Sequence, residues 1–169
     1  MIMKTKLHFT QLLLASLLFS VMISCGSSQT AAQKQEVSEQ VKEKVDNLKF
    51  TFKANYAYPS TFRSIYLSPY YDVKVSPDSV VAYLPYYGKA YTAPMNPSEG
   101  GIKFTSTSFE YNVREGKKKG NWLVDIKVKD KGDDVSLYFD IWDNGTARLN
   151  VSDSRRQSIS FSGEIDMDK

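Results

Sequence analysis

Val135-Ser-Leu-Tyr-Phe-Asp-Ile-Trp-Asp-Asn-Gly-Thr-Ala-Arg-Leu-Asn-Val151 decides the fold. Val135, Leu137, Phe139 and Ile141 alternate with Ser136, Tyr138 and Asp140, the period-two pattern of a strand with one buried and one wet face. Ala147, Leu149 and Val151 then alternate with Thr146, Arg148 and Asn150. Between the two runs, Asp143-Asn-Gly145 carries an Asn-Gly pair, which predicts a type I′ hairpin with positive φ at both central residues.

The same pattern extends both ways. Upstream, Trp122, Val124, Ile126 and Val128 alternate with Leu123, Asp125 and Lys127, between a basic turn (Glu115 to Asn121) and an acidic one (Asp130 to Asp134). Ile102 to Ser106 and Phe109 to Arg114 read as two further strands. Downstream, Ser152 to Arg156 turns, and Ile159, Phe161 and Ile165 close the sheet. Nearer the start, Leu48, Phe50, Phe52, Ala54 and Tyr56 share one face of a strand that Pro59-Ser60 ends. Thr61 to Leu67, Tyr71 to Val75 and Ser79 to Leu84 follow, the last two joined by Ser76-Pro77-Asp78, with proline preset for a turn. Nine or ten short strands on tight turns predict an all-β domain over residues 47–169. The predicted architecture is an antiparallel meander closing as a lipocalin-like barrel; a stacked sandwich is the alternative. Closure is favoured because it removes exposed edges. One short helix precedes the sheet: Val37, Val41, Val45 and Leu48 form a single stripe over Glu36 to Asn47.

The first residues concern address. Lys4 and Lys6 precede an apolar run from Leu12 to Ile23, closed by Ser24-Cys25-Gly26. The run is shorter than the ~20 residues of a permanent span and fits a secretory signal peptide. A small residue before Cys25 resembles the lipobox of bacterial lipoproteins, with Met22 a departure at its first position. That resemblance implies cleavage after residue 24 and lipidation of Cys25. Residues 25–46 then become a lipidated tether and short helix, with 26–35 a flexible linker, and the bilayer is a partner through the acyl chains. The tether lacks an acidic cluster, which places the domain on the periplasmic face of the outer membrane.

Cleavage removes Lys4, Lys6 and the only histidine, His8, leaving 20 basic against 19 acidic side chains of the original 22 and 19. So balanced a chain has no phosphate-binding footprint, and nucleic acid is not an expected partner. Without histidine or a free thiol, Ser-His-Asp and Cys-His catalysis, His-ligated zinc and thiol redox chemistry are excluded from the mature chain. The expectation is a non-enzyme without catalytic residues, cofactor or metal. Asp130, Asp133 and Asp134 lack the spacing of a calcium loop and read as a wet turn. Lys117, Lys118 and Lys119 read as a solvated hairpin tip that discourages edge pairing.

The stretch from Ser79 to Gly101 is not explained by folding alone. Pro85 ends ladder pairing near Leu84, and a loop rich in Tyr86, Tyr87, Gly88, Lys89 and Tyr91 follows. With Tyr83, these rings read either as a plug capping one barrel end or as a binding surface for a small amphipathic ligand, a glycan or an envelope protein. In the binding reading, Tyr86 or Tyr87 is expected to be exposed, because neighbours in an extended segment point to opposite faces.

Leu84-Pro-Tyr-Tyr-Gly-Lys-Ala-Tyr91, Gly100-Gly-Ile-Lys-Phe104, Asn144-Gly-Thr-Ala-Arg-Leu149 and Ser158-Ile-Ser-Phe-Ser-Gly163 together resemble a family of small Bacteroidetes lipoproteins, a domain of unknown function. The resemblance covers about Leu48 to Ile165 and the leader. It implies an all-β, lipocalin-like barrel and transfers no activity. Asp78-Ser79-Val80 resembles the O-glycosylation acceptor of such organisms, making Ser79 a candidate; the plain alternative is a turn entering a strand. The combined expectation is a membrane-anchored periplasmic binding module, or else a structural envelope protein with a filled barrel.

Overall fold

The structure, a computed structural model, describes residues 30–91, 100–130 and 135–168. Cys25 with its leader, Asp133 and Asp134 lie outside the described residues. The chain divides into two compact units, Met1–Ala31 and Ala32–Lys169, and only Thr30 and Ala31 of the first are described.

The second unit holds most of one helix, α1 (Ala31–Asp46), and ten strands. These are β1 (Phe50–Tyr58), β2 (Ile65–Tyr66), β3 (Asp72–Val75), β4 (Val80–Leu84), β5 (Ile102–Ser106), β6 (Phe109–Glu115), β7 (Asn121–Val128), β8 (Ser136–Trp142), β9 (Thr146–Asp153) and β10 (Arg156–Ile165). The helix starts five residues before the predicted stripe, so Ala31 to Gln35 is helix, not linker. Alanine, glutamine and lysine are strong helix formers, and Gln35 donates to Glu39 one turn on, at 3.0 Å. The apolar stripe stands as read: Val41 and Val45 are fully buried, each worth ~1.5–3 kcal/mol. The helix stops at Leu48, in the left-handed region at φ 54°; Lys49 N–H returns to Lys44 O at 2.9 Å.

One antiparallel sheet runs in the order β5-β4-β3-β1-β10-β9-β8-β7-β6, with β2 added on β1, and curls into a nearly closed barrel. Closure stops at a seam. β5 and β6 are consecutive in the chain but end the strand order at opposite sides. Their corner is held instead by Asp130, which accepts from Ser106 Oγ at 2.6 Å and Thr107 N–H at 3.1 Å. Ser106 is fully buried there.

Side chains fill the interior. Phe161, Leu149, Phe139 and Val124 form one row across β10, β9, β8 and β7. From β1, Phe50 and Phe52 set their rings edge-on to Phe139, at 5.5 and 5.7 Å between centroids.

Two local expectations are corrected. The Asn144-Gly145 turn is not type I′, because Asn144 keeps a negative φ and only Gly145 is left-handed, at 84°. Gly145 N–H reaches Trp142 O at 2.9 Å, giving a type I turn followed by a glycine bulge, the usual three-residue hairpin loop. Asn144 Oδ1 stabilises it by accepting from Thr146 N–H at 3.0 Å and Thr146 Oγ1 at 2.7 Å. The second correction is on β1. Ala54 pairs with Gly163 and Tyr56 with Ser162, so Asn55 is an extra residue in a β-bulge. The bulge gives the inward position to Ala57 and turns Tyr56 and Tyr58 to the outside, 42% and 46% exposed.

Candidate functional site

The described part of the loop after β4, residues 85–91, packs back against the β domain. Tyr86 and Tyr87 are both half-buried and pack against the core, so neither is the exposed ring. Tyr86 Oη lies 2.8 Å from Lys89 O and 3.0 Å from Gln157 O, one proton serving two carbonyls. Burial raises its pKa. The Arg156 guanidinium lies over the ring at 5.0 Å, pairs with the buried Asp153 at 2.9 Å, and donates to Gly101 O at 3.1 Å. Backbone bonds from Gln157 to Lys89 O and from Tyr91 to Arg155 O fasten the loop to the β9–β10 turn.

The remaining predicted site residues do not gather round it. Tyr91 is 71% exposed and Lys89 is exposed. Tyr83 faces outward on β4, stacked on Tyr71 at 5.5 Å with Lys103 Nζ 4.8 Å above it. Ser79 is half-buried in the β3–β4 turn, its hydroxyl 3.2 Å from both Asp78 Oδ1 and Ser76 Oγ.

A different surface gathers chemistry: the outward face of β6 to β10 and β1. Register places Asp125, Tyr138, Asn150, Ser160 and Tyr58 in one row across five strands. The next row holds Arg114, Leu123, Asp140, Arg148, Ser162 and Tyr56. The first row, with Arg114, Leu123, Asp140 and Arg148 of the second, lines a groove of about 540 Å³; Arg148 is shared with an adjoining groove of about 500 Å³ that includes Tyr56, Ser162 and Trp142. Tyr58 Oη is 3.0 Å from Ser162 Oγ, so the phenol reaches over β10 while the side chain stays exposed. Asn150 Nδ2 donates to Ser160 Oγ at 2.9 Å. Asp140 accepts from Asn121 Nδ2, and Arg114 stands 3.8 Å from Asp125. Arg148 has no hydrogen bond or ion pair among the described residues, and it projects from the middle of the face.

The sequence placed Tyr138, Arg148 and Asn150 on a wet face without marking them as a site. Tyr56 was placed inside, where the bulge does not leave it. The signal available was the residue type: outward positions of β8 hold Tyr138 and Trp142 where lysine, glutamate or threonine is ordinary.

Among the described residues, no group of three His, Cys, Asp or Glu side chains is placed to hold a metal ion. No curated protein matches the chain. Among solved structures it resembles a DUF4251 family protein from Bacteroides eggerthii, with a TM-score of 0.57 at 11% identity over 77% of this chain and 87% of that one. At that identity the likeness is one of fold. The family described as Domain of unknown function (DUF4251) matches residues 32–165, most of the chain, and the protein belongs to it.

Proposed function

We propose that this protein is a lipid-anchored envelope lipoprotein, held to the outer membrane by acylated Cys25, whose periplasmic β domain is a non-enzymatic binding module. Recognition lies on the outward face of β6 to β10 and β1, with the aromatic loop a structural plug. The observation that carries this reading is the 540 Å³ groove, in which exposed Tyr58 and Tyr138 flank an unpaired Arg148 on a rigid sheet. Exposed aromatics beside convergent polar groups are the usual composition of a recognition surface. The leader supports the address: an apolar run too short to span, closed by a cysteine after a small residue.

Radical footprinting of the full chain tests the module. Adding solubilised envelope is expected to protect Tyr58 and Tyr138 while Tyr70, 77% exposed in the β2–β3 loop and outside the groove lining, stays reactive. Unchanged labelling of both groove tyrosines would remove the reading. One observation favours a purely structural protein instead: the barrel axis is filled by Phe50, Phe52 and Phe139, leaving the interior to packing. Under that reading no envelope component protects the groove.

A further inference from the structure

We infer that the outer-face groove takes a neutral oligosaccharide, with Tyr58 and Tyr138 as stacking platforms and Arg148, Asp140 and Asn150 as its hydroxyl-binding groups. This rests on the outer face being the recognition surface, and it names the chemistry of the occupant.

Shape comes first. Tyr138 on β8 and Tyr58 on β1 lie in one row with β9 and β10 between them, so three strand spacings set their backbones ~14 Å apart, and the Tyr58 phenol reaching over β10 brings the two platforms somewhat nearer. Two platforms at that separation suit an extended chain of rings better than a single compact molecule. The Tyr58 ring, laid over β10 by its bond to Ser162, offers the flat apolar surface that the C–H face of a pyranose packs against.

Polarity comes next. A sugar hydroxyl both donates and accepts, so it needs partners of both kinds. Arg148 supplies donors only, Asp140 acceptors only, and the Asn150 amide both. Asp140 and Arg148 stand directly opposite each other on β8 and β9, yet no ion pair joins them. Each therefore keeps hydrogen-bonding capacity for a ligand.

Charge selects the class. Arg114 and Arg148 balance Asp125 and Asp140 along the groove, so a polyanion meets two carboxylates and a polycation two guanidiniums. Strand addition by a peptide is excluded where the tyrosines stand. β7 to β10 and β1, which carry both tyrosine platforms, are all paired on both sides, and only β6 at the margin of the face has a free edge, so a strand cannot add between the platforms.

The experiment is calorimetric titration of the full chain, in a detergent without a sugar headgroup, with maltohexaose, cellohexaose and hexagalacturonate. At least one neutral hexasaccharide is expected to bind and the uronate to bind more weakly. Tyr138→Ala and Tyr58→Ala are each expected to weaken binding about tenfold, Tyr70→Ala not at all, all three melting as the parent does. Tighter binding of the uronate overturns the neutral class. Binding by neither neutral probe, or binding indifferent to both groove variants, overturns the saccharide inference. If envelope extract still protects Tyr58 and Tyr138 from radicals in that case, the module survives and its ligand is of another class; if that protection is also missing, the module itself fails.

Discussion

The phenol of Tyr111 on β6 donates to the backbone carbonyl of Val45 in α1 at 2.8 Å, tying the helix to a strand that ends the sheet. Burial pushes the Tyr111 hydroxyl well above its ordinary value of 10.0. A group whose pKa is raised in the folded state stabilises fully below its unfolded value, and that contribution is lost as pH rises through the folded one. Tyr111→Phe is therefore expected to cost ~1 kcal/mol near neutrality. It should also flatten the decline of stability above pH 10.0, measured by urea titration across that range. An unchanged alkaline limb would show that Tyr111 is not the group responsible.

Gly163 sits opposite Ala54 beside the bulge, where β1 and β10 approach too closely for a side chain. A Cβ there meets the backbone oxygen of Lys53 and, at 3.1 Å, Ala54 Cα, on the strand carrying the bulge. Gly163→Ala is expected to destabilise by ~1–3 kcal/mol through overpacking of backbone against backbone. Equilibrium unfolding measures the loss. Wild-type stability in that variant would mean β1 and β10 do not approach as described.

Most of the fold was legible because most of it is alternation. Trp122 to Val128 and Val135 to Val151 point inward and outward as their pattern dictates, and valines at spacings of four placed the buried helix stripe. Three things were not legible, each for a physical reason. A bulge is one added residue in a continuous pattern, so Asn55 hid the reversal that exposes Tyr56 and Tyr58. The Asn-Gly pair suits two turn types, and only the backbone angles separate them. The seam depends on Asp130 reaching Ser106, a contact 24 residues apart in the chain that no local rule anticipates. The candidate face has no local signature, because it is assembled from one or two residues on each of six strands.

The loop rings separate by role. Tyr86, with its hydroxyl over two carbonyls and its ring under Arg156, is expected to lose ~3 kcal/mol on replacement by alanine. Tyr91, 71% exposed, should lose no more than ~0.5 kcal/mol. Thermal melts of the two variants check the order. Equal small losses would reopen the loop as a surface.

Recognition on the outer sheet face, as proposed, leaves the aromatic loop out of the ligand's contacts. The most direct measurement is an amide chemical-shift titration of the isotopically labelled protein with maltohexaose or cellohexaose, whichever binds. Perturbations are expected to concentrate at Tyr138, Arg148, Asn150 and Ser160 and to continue to Tyr58 on β1. Shifts confined to Tyr86 through Tyr91 and the β9–β10 turn, with the outer face silent, would contradict recognition on that face.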